Sequence, residues 1–336
     1  MKASDQIGSR LKRDLFTKGG LLLASEKTIL TDSLVQVISK NGVHVSNEDV
    51  EQVTQQEKTN ESLVYRATEE MREIFEYIHS TGDIPLEELH MNIIPAIHHA
   101  TEYPNLYSVL SGLQAKDDYT YRHNIGVAVI STMIGKWMHL NQEELNLLTL
   151  AAALHDVGKI KICDEILNKP GKFTDEEFNK MKQHTVFGFE IIQQISNLHP
   201  RVSLVALQHH EREDGCGYPN KVKGKQIDLF SKIVGVADVF HAMTSKRVYK
   251  EAQPFFKVIE QMMAERFGKL DPVICHVFVQ RMMEMAVGSQ VILSDGQKGR
   301  VTLIHQEDPI KPLVQLDNHY IDLRKCRNVQ IEQLVG

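Results

Sequence analysis

Among the 336 residues of this chain there is no run of about 18 apolar residues, so no helix is expected to cross a membrane. Cysteine is scarce: Cys163, Cys216, Cys275 and Cys326 stand apart with no CxxC spacing, which gives no sign of a disulfide framework. The first residues also lack the charged-then-apolar pattern of a secretion signal, and together these absences point to a reduced, cytoplasmic setting. Nor is there an excess of positive charge. A net charge of -6 argues against a protein that grips duplex nucleic acid, while leaving room for a local site for a small anion. What is present is ordinary for a folded soluble chain, 42% hydrophobic and 24% charged, and the length suggests two or three domains.

The patterning divides the chain into three stretches. Residues 1–103 read as a small α+β module: GGLLLAS (19–25) and GVHVS (42–46) bracket a helical pattern beginning near Thr31, and a polar helical stretch runs from about Asn47 to His79. No catalytic constellation is visible there. His98 and His99 have no carboxylate nearby and read as structural or surface residues, so regulation or dimerisation, as a homodimer, is the expected role. Residues 104–286 are almost wholly helical. From Val287 to the end the period changes to alternation, with VILSDGQKGRVTLI, PLVQLDNHYIDL and NVQIEQLV separated by turn signals, which predicts a small β-barrel or sheet used for packing or oligomer contact. The expected fold is therefore mainly α, with small modules at either end.

Within the helical stretch, each helix carries a metal-capable side chain on its apolar face. His123, Val127, Ile130, Ile134 and Trp137 step by four, three, four and three along one stripe. Asn141 and Glu144 open the next helix as a capping box, and Leu148, Ala152 and His155 continue its buried face into AAALHDVGKIKI (151–162). Thr174 with Glu177 starts a third, with Phe173 and Phe178 placed as a hydrophobic staple and Met181, His184, Gly188, Ile191 and Ile195 on one side. Pro200 suits the first turn of a fourth, which ends at His209 and His210, where a helix C-terminus favours a cation. In DLFSKIVGVADVFHAMTS, Asp238 sits in an apolar segment where an unpaired carboxylate would be costly.

Singly, each of these residues is more often a satisfied core group than a ligand. Together, His123, His155, Asp156, His184, His209, His210 and Asp238 form a donor set for two first-row divalent ions bridged by a carboxylate. Two such ions carry four positive charges and the aspartates remove two, leaving a positive site suited to activating water and attracting phosphate. Ions roughly 3.5 to 4 Å apart suit in-line attack on phosphorus, and phosphoester hydrolysis is the reaction class expected.

The ordered motifs His123, HDVGK (155–159), His184, HHEREDGCGYP (209–219) and VADVFHAMTSKRVYK (236–250) resemble the HD-GYP family of bacterial cyclic di-GMP phosphodiesterases, a branch of the HD metal-dependent phosphohydrolases. The resemblance covers about residues 105–285. It implies an all-helical catalytic domain holding iron or manganese, which hydrolyses cyclic di-GMP to pGpG or GMP. It also implies that the seven residues named above are the ligands, with Asp156 the bridge and Lys159 touching the scissile phosphate. Arg247 and Lys250 match the family's phosphate- and guanine-contacting pair. In the family the GYP loop borders the substrate and has been linked to partner recognition, so Tyr218 is expected either to stack on a guanine or to face a partner such as a GGDEF-type signalling protein.

The chain departs from that pattern in several places. Members with three metals carry a glutamate where this chain has Tyr119, so two metals are expected. The usual aspartate three residues after the last ligand is His241, which is expected to support the site from behind the ligands, with additional ligand or proton donor as alternatives. Glu213 stands for a tryptophan and Val248 for the proline of RPY. Three readings follow: an active cyclic di-GMP phosphodiesterase, a binding or signalling module on the same fold, or a phosphohydrolase of another nucleotide.

Overall fold

The computed structural model describes residues 9–13, 15–17, 22–24, 30, 35, 38–46, 49–52, 55–102, 119–196, 198–245, 253–265, 268–317, 319–326 and 328–335. The chain forms two compact units, Met1–Ser62 and Leu63–Gly336. The expected boundary at 103/104 differs from this division, because helical residues placed with the first module are packed into the second unit's core.

In the first unit, β1 (Ser9–Leu11) pairs antiparallel with β4 (Val50–Gln52), and β2 (Leu15–Phe16) pairs with β3 (Leu22–Ala24). Leu11, Leu15, Ala24, Leu30, Val35, Ile38, Val45 and Val50 form its core. GVHVS contributes Val45 to that core but is not a strand. Next to β4, Asp49 takes an ion pair from Arg13 at 2.6 Å and hydrogen bonds from Ser46; chiefly the Arg13 bond lowers its pKa to about 2.

The second unit is helical up to Glu284 and ends in a sheet. After α1 (Gln55–Thr81), the helix α2 (86–100) widens to a π turn over Leu89–Ile93 just before Pro95, where a regular ladder would meet a missing N–H. The buried faces of α1 and α2, among them Met71, Phe75, Ile78, Ile93 and Ile97, belong to one core with α3 (Tyr119–Trp137). Along α3, His123, Val127, Ile130 and Ile134 are buried as their spacing predicts. The helix α4 (Gln142–Ala153) starts on the expected Asn141–Glu144 capping box. It is tied to α3 by a hydroxyl pair, Thr132 with Thr149 at 2.7 Å, and to α2 through His98, whose Nε2 lies 3.2 Å from the Thr149 hydroxyl. His98 thus has the structural role expected of it, and His99 is exposed.

A short 3-10 turn, Val157–Lys161, leads to α5 (Asp164–Leu167) and to α6 (Asp175–Lys182), which the Thr174–Glu177 box caps. Where one long helix was expected, the chain breaks at Gln183 and resumes as α7 (His184–Gln193). The Phe178 ring lies edge-on to Tyr218, centroids 6.2 Å apart. Helix α8 (Pro200–Gln208) has Pro200 at its first position, and α9 (Leu229–Thr244) is capped by Asp228. Helices α10 (Phe255–Glu265) and α11 (Pro272–Glu284) complete the bundle.

The C-terminal strands β5 (Gln290–Leu293), β6 (Lys298–Leu303), β7 (Leu313–Gln315), β8 (Tyr320–Asp322) and β9 (Ile331–Val335) form an open antiparallel sheet in the order β8-β7-β6-β5-β9. The expected barrel-like closure is absent among the described residues: β8 and β9 are edges. The sheet is not a module with its own core either, since Val291, Leu293, Val301, Val314 and Ile331 join the helical core. No helix among the described residues is long and apolar enough to cross a membrane.

Candidate metal centre

The site forms where helices end. His155 and Asp156 follow α4 immediately, in the turn before Val157–Lys161, rather than inside the helix. His184 is the first residue of α7, and His209 is the C-cap of α8 with His210 after it. Only His123 and Asp238 come from within helices. The turn carrying His155 and Asp156 can reach α7 because Gly158 has no side chain: a Cβ there would lie 1.9 Å from His184 O and 2.3 Å from Gly188 N.

All seven expected ligands converge in two groups: Asp156, His184, His209 and His210 in one, and His123, His155 and Asp238 in the other, ligand atoms in each within 4.8 Å of one another. Asp156 stands between them. Its Oδ1 is 3.3 Å from His184 Nε2 and 3.8 Å from His209 Nε2, while its Oδ2 is 3.3 Å from His155 Nε2 and 3.7 Å from His123 Nε2. Asp238 lies 3.1 Å from His123 Nε2 and 3.7 Å from His210 Nδ1. Lys159 pairs with Asp156 Oδ2.

The backbone decides which nitrogen each ring offers. His155 Nδ1 donates to Ala152 O at 2.7 Å, His184 Nδ1 to Met181 O at 2.7 Å, and His209 Nδ1 to Ala206 O at 3.0 Å. A carbonyl only accepts, so the proton of each neutral ring sits on Nδ1 and Nε2 turns its lone pair inward. His155 Nε2 and Asp156 Oδ1 are buried with no hydrogen-bond partner. Buried orphan acceptors are costly unless something positive meets them, and a divalent cation suits two imidazole lone pairs and a carboxylate oxygen.

Electrostatics agree. Burial pulls the pKa of His123, His184 and His209 down, and brings His210 to about 3, which keeps these rings neutral and able to ligate. For His155, burial also lowers the pKa, but Asp156 and then Asp238 outweigh it and the net shift is upward. Burial acts to raise the pKa of Asp156, and Lys159, His155 and His184 more than reverse this, holding it well below the carboxylate range. Asp238 is likewise held low, mainly by His123 against its own burial.

The GYP loop packs against the two-histidine turn. Gly217 leaves no room for a side chain, since a Cβ would meet Glu211 Cα at 2.5 Å and His210 O at 2.6 Å. Tyr218 N donates to His210 O at 3.3 Å, and the Tyr218 ring lies on the His210 ring, centroids 4.7 Å apart and planes 32° apart. The Glu211 carboxylate accepts from Asn220 N at 2.6 Å. Burial raises the Tyr218 pKa, so its phenol stays protonated. Sequence reasoning missed the Gly158 crossing and the Glu211 clamp; only the glycine in HDVGK hinted at the first. Glu213, where a tryptophan was the expected residue, pairs with half-buried Lys232 at 2.8 Å, and Lys232 also reaches Asp271 at 3.0 Å. Arg247 and Lys250 lie outside the described residues, as does the Tyr119 side chain.

The HD domain family profile matches residues 107–274, half of the chain. A cyclic di-GMP phosphodiesterase of Pseudomonas aeruginosa is 35% identical over 214 residues, covering 64% of this chain and 51% of that protein. One from Thermotoga maritima is 40% identical over 197 residues, 53% of each. A 3'3'-cGAMP-specific phosphodiesterase of Vibrio cholerae is 32% identical over 180 residues, covering 53% of this chain and 34% of that protein. The chain thus spans about half or less of the length of these curated relatives. Among solved structures, the HDG"Y"P protein Bd1817 of Bdellovibrio bacteriovorus superimposes with a TM-score of 0.55 at 16% identity, covering 84% of this chain and 98% of that one, a likeness of fold.

Proposed function

Because the chain belongs to the HD domain family, and by its ordered motifs to the HD-GYP branch, we propose that it is a metal-dependent phosphodiesterase that hydrolyses cyclic di-GMP to pGpG, GMP or both. The observation that carries this reading is the position of Asp156, one carboxylate oxygen facing each group of histidines. That is the arrangement a bridging ligand needs. His123, His155 and Asp238 would hold one ion, His184, His209 and His210 the other, with Asp156 shared; iron or manganese suits this mixture of imidazole and carboxylate. When bound, a pair of divalent cations supplies the Lewis acidity that ionises water at neutral pH and neutralises phosphate charge.

The protein's own groups do the rest. His155, His184 and His209 are fixed by their carbonyl partners, and burial holds His123, His184 and His209 neutral, so these rings keep their orientation without reorganisation. Lys159, at the rim beside Asp156, turns to the scissile phosphate and stabilises the charge that develops as a P–O bond to ribose breaks. Arg247 and Lys250 are assigned the phosphate and guanine contacts on their motif alone, and Tyr218, beside His210, either stacks on a guanine or faces a partner protein.

The test is hydrolysis of cyclic di-GMP by protein reconstituted anaerobically with ferrous iron or manganese, with metal counted in the same sample and Asp156→Ala alongside. Turnover with about two metals per chain, absent in the variant, is the expected result. Metal-loaded protein that binds the dinucleotide and releases no product is a receptor instead. A second substrate is favoured by the Vibrio cholerae relative's name, so 3'3'-cGAMP belongs in the same assay; faster turnover of it would move the assignment within the cyclic dinucleotides.

A further inference from the structure

Three of the candidate ligand histidines, each at a helix end, are oriented by main-chain carbonyls. His123 is different. It lies inside α3, and its outer nitrogen meets a side chain. That side chain is His241, one turn beyond Asp238 on α9. The two rings are 2% and 1% exposed, and their Nδ1 atoms are 3.0 Å apart, with centroids 4.8 Å apart and planes at 72°.

We infer that His241 is a positioning residue for the metal centre, accepting the Nδ1 proton of His123 and so fixing the tautomer that frees His123 Nε2 for a cation. This rests on the metal-centre reading above. A neutral imidazole carries one N–H. If Nε2, 3.1 Å from Asp238 Oδ1, is to give its lone pair to a cation, the proton must be on Nδ1. The atom facing that proton is His241 Nδ1, which must then accept, leaving the His241 proton on Nε2. The Ser245 hydroxyl lies 3.1 Å from His241 Nδ1 and 3.5 Å from Nε2, and Ser245 N donates to His241 O at 3.0 Å, so the end of α9 holds the supporting ring in place. His241 is not itself a ligand in this arrangement: the nitrogen it presents meets the back of the His123 ring, on the side away from Asp238 and Asp156.

The inference separates hydrogen bonding from bulk, and so do its variants. His241→Asn keeps an acceptor, because an amide oxygen can take the place of Nδ1; His241→Leu keeps the volume and removes it. Manganese would be counted per chain and its affinity measured by chelator competition for wild type and both variants, each checked for folding by circular dichroism. The expected result is that Leu weakens one of two manganese ions by about 10- to 100-fold, and that Asn restores most of the loss. In zinc-loaded wild-type protein with 15N-labelled histidine, long-range 15N–1H correlations should show His123 protonated at Nδ1 and His241 at Nε2, the two rings being identified by their loss in His123→Asn and His241→Asn. Two manganese ions held equally tightly by wild type and His241→Leu would overturn the role of His241 alone. The opposite tautomers in wild-type protein would do so even where the Leu variant fails to fold. Wild-type protein that binds no manganese overturns the metal-centre reading, and this inference with it.

Discussion

Replacing Gly158 by alanine tests the packing that creates the site. The added Cβ would lie 1.9 Å from His184 O, 2.3 Å from Gly188 N and 2.9 Å from His184 C, all backbone atoms that no rotamer change can move. Reaching an ordinary contact of 3.4 Å requires the 157–161 turn and α7 to part by about 1.5 Å (3.4 minus 1.9). Overpacking of this kind costs roughly 1–3 kcal/mol, and at about 2–4 °C per kcal/mol for a unit of this size Tm should fall by about 2–12 °C. The functional effect should be larger. His184 rides on α7 and Asp156 precedes Gly158 by two residues, so the shift falls on their 3.3 Å separation, and a misplacement of about 1 Å can cost about 100-fold in rate. Gly188→Ala is the internal control: its Cβ would meet Ala206 Cβ at 3.2 Å and Gly158 N at 3.3 Å, a clash of a few tenths of an ångström. Thermal melts, manganese affinity and cyclic di-GMP hydrolysis should all rank wild type, Gly188→Ala, Gly158→Ala. If Gly158→Ala melts with wild type and binds manganese as tightly, the close approach is not what shapes the centre.

Further outcomes follow from the same geometry. Gly217→Ala forces the GYP loop off the two-histidine turn, with backbone contacts of 2.5 and 2.6 Å, and should lower manganese affinity; unchanged affinity would show that the loop does not brace His210. Lys232→Met leaves Glu213 and Asp271 without their shared cation and should destabilise by about 1–2 kcal/mol in urea unfolding, with Glu213→Gln added on top recovering part of the loss. Metal-free protein should lose stability in acid. The His210 pKa falls from 6.5 to about 3 on folding, chiefly through burial, so between those values the unfolded chain binds the extra proton and stability falls as pH drops. From pH 7 to pH 5 that group alone contributes about 2 kcal/mol, and His123, His184 and His209 act in the same direction while His155 opposes them. A metal-free Tm that is equal or higher at pH 5 would refute the burial of these rings as neutral bases.

Much of the second unit could be read from local rules. Asn141 and Glu144, Thr174 and Glu177, and Pro200 marked helix starts because capping depends on residues a few positions apart. The stripe from His123 to Ile134 is buried, as are all the residues between them, and the candidate ligand set was visible because polar groups on apolar faces need an explanation. Local rules fell short where a helix stops for a tertiary reason. His155 follows a helix rather than continuing it, and a break at Gln183 starts α7 at His184; at each of these ends the ring's Nδ1 donates to a carbonyl three residues back, Ala152 O or Met181 O. The 103/104 boundary differs from the division at Ser62/Leu63 because amphipathic helices do not announce which core they join.

What the sequence by itself determined, then, is which histidines and aspartates stand on or beside apolar helical stretches and where several of those helices begin, because periodicity and caps are properties of neighbours along the chain. Only the tertiary structure decided that Asp156 turns one oxygen to each histidine group, that Gly158 must pass within backbone contact of α7, and that His241 rather than a carbonyl stands behind His123. Those are relations between elements distant in sequence. They depend on how closely helices approach and on which buried acceptors are left over when they do, and neither quantity is written in any one segment.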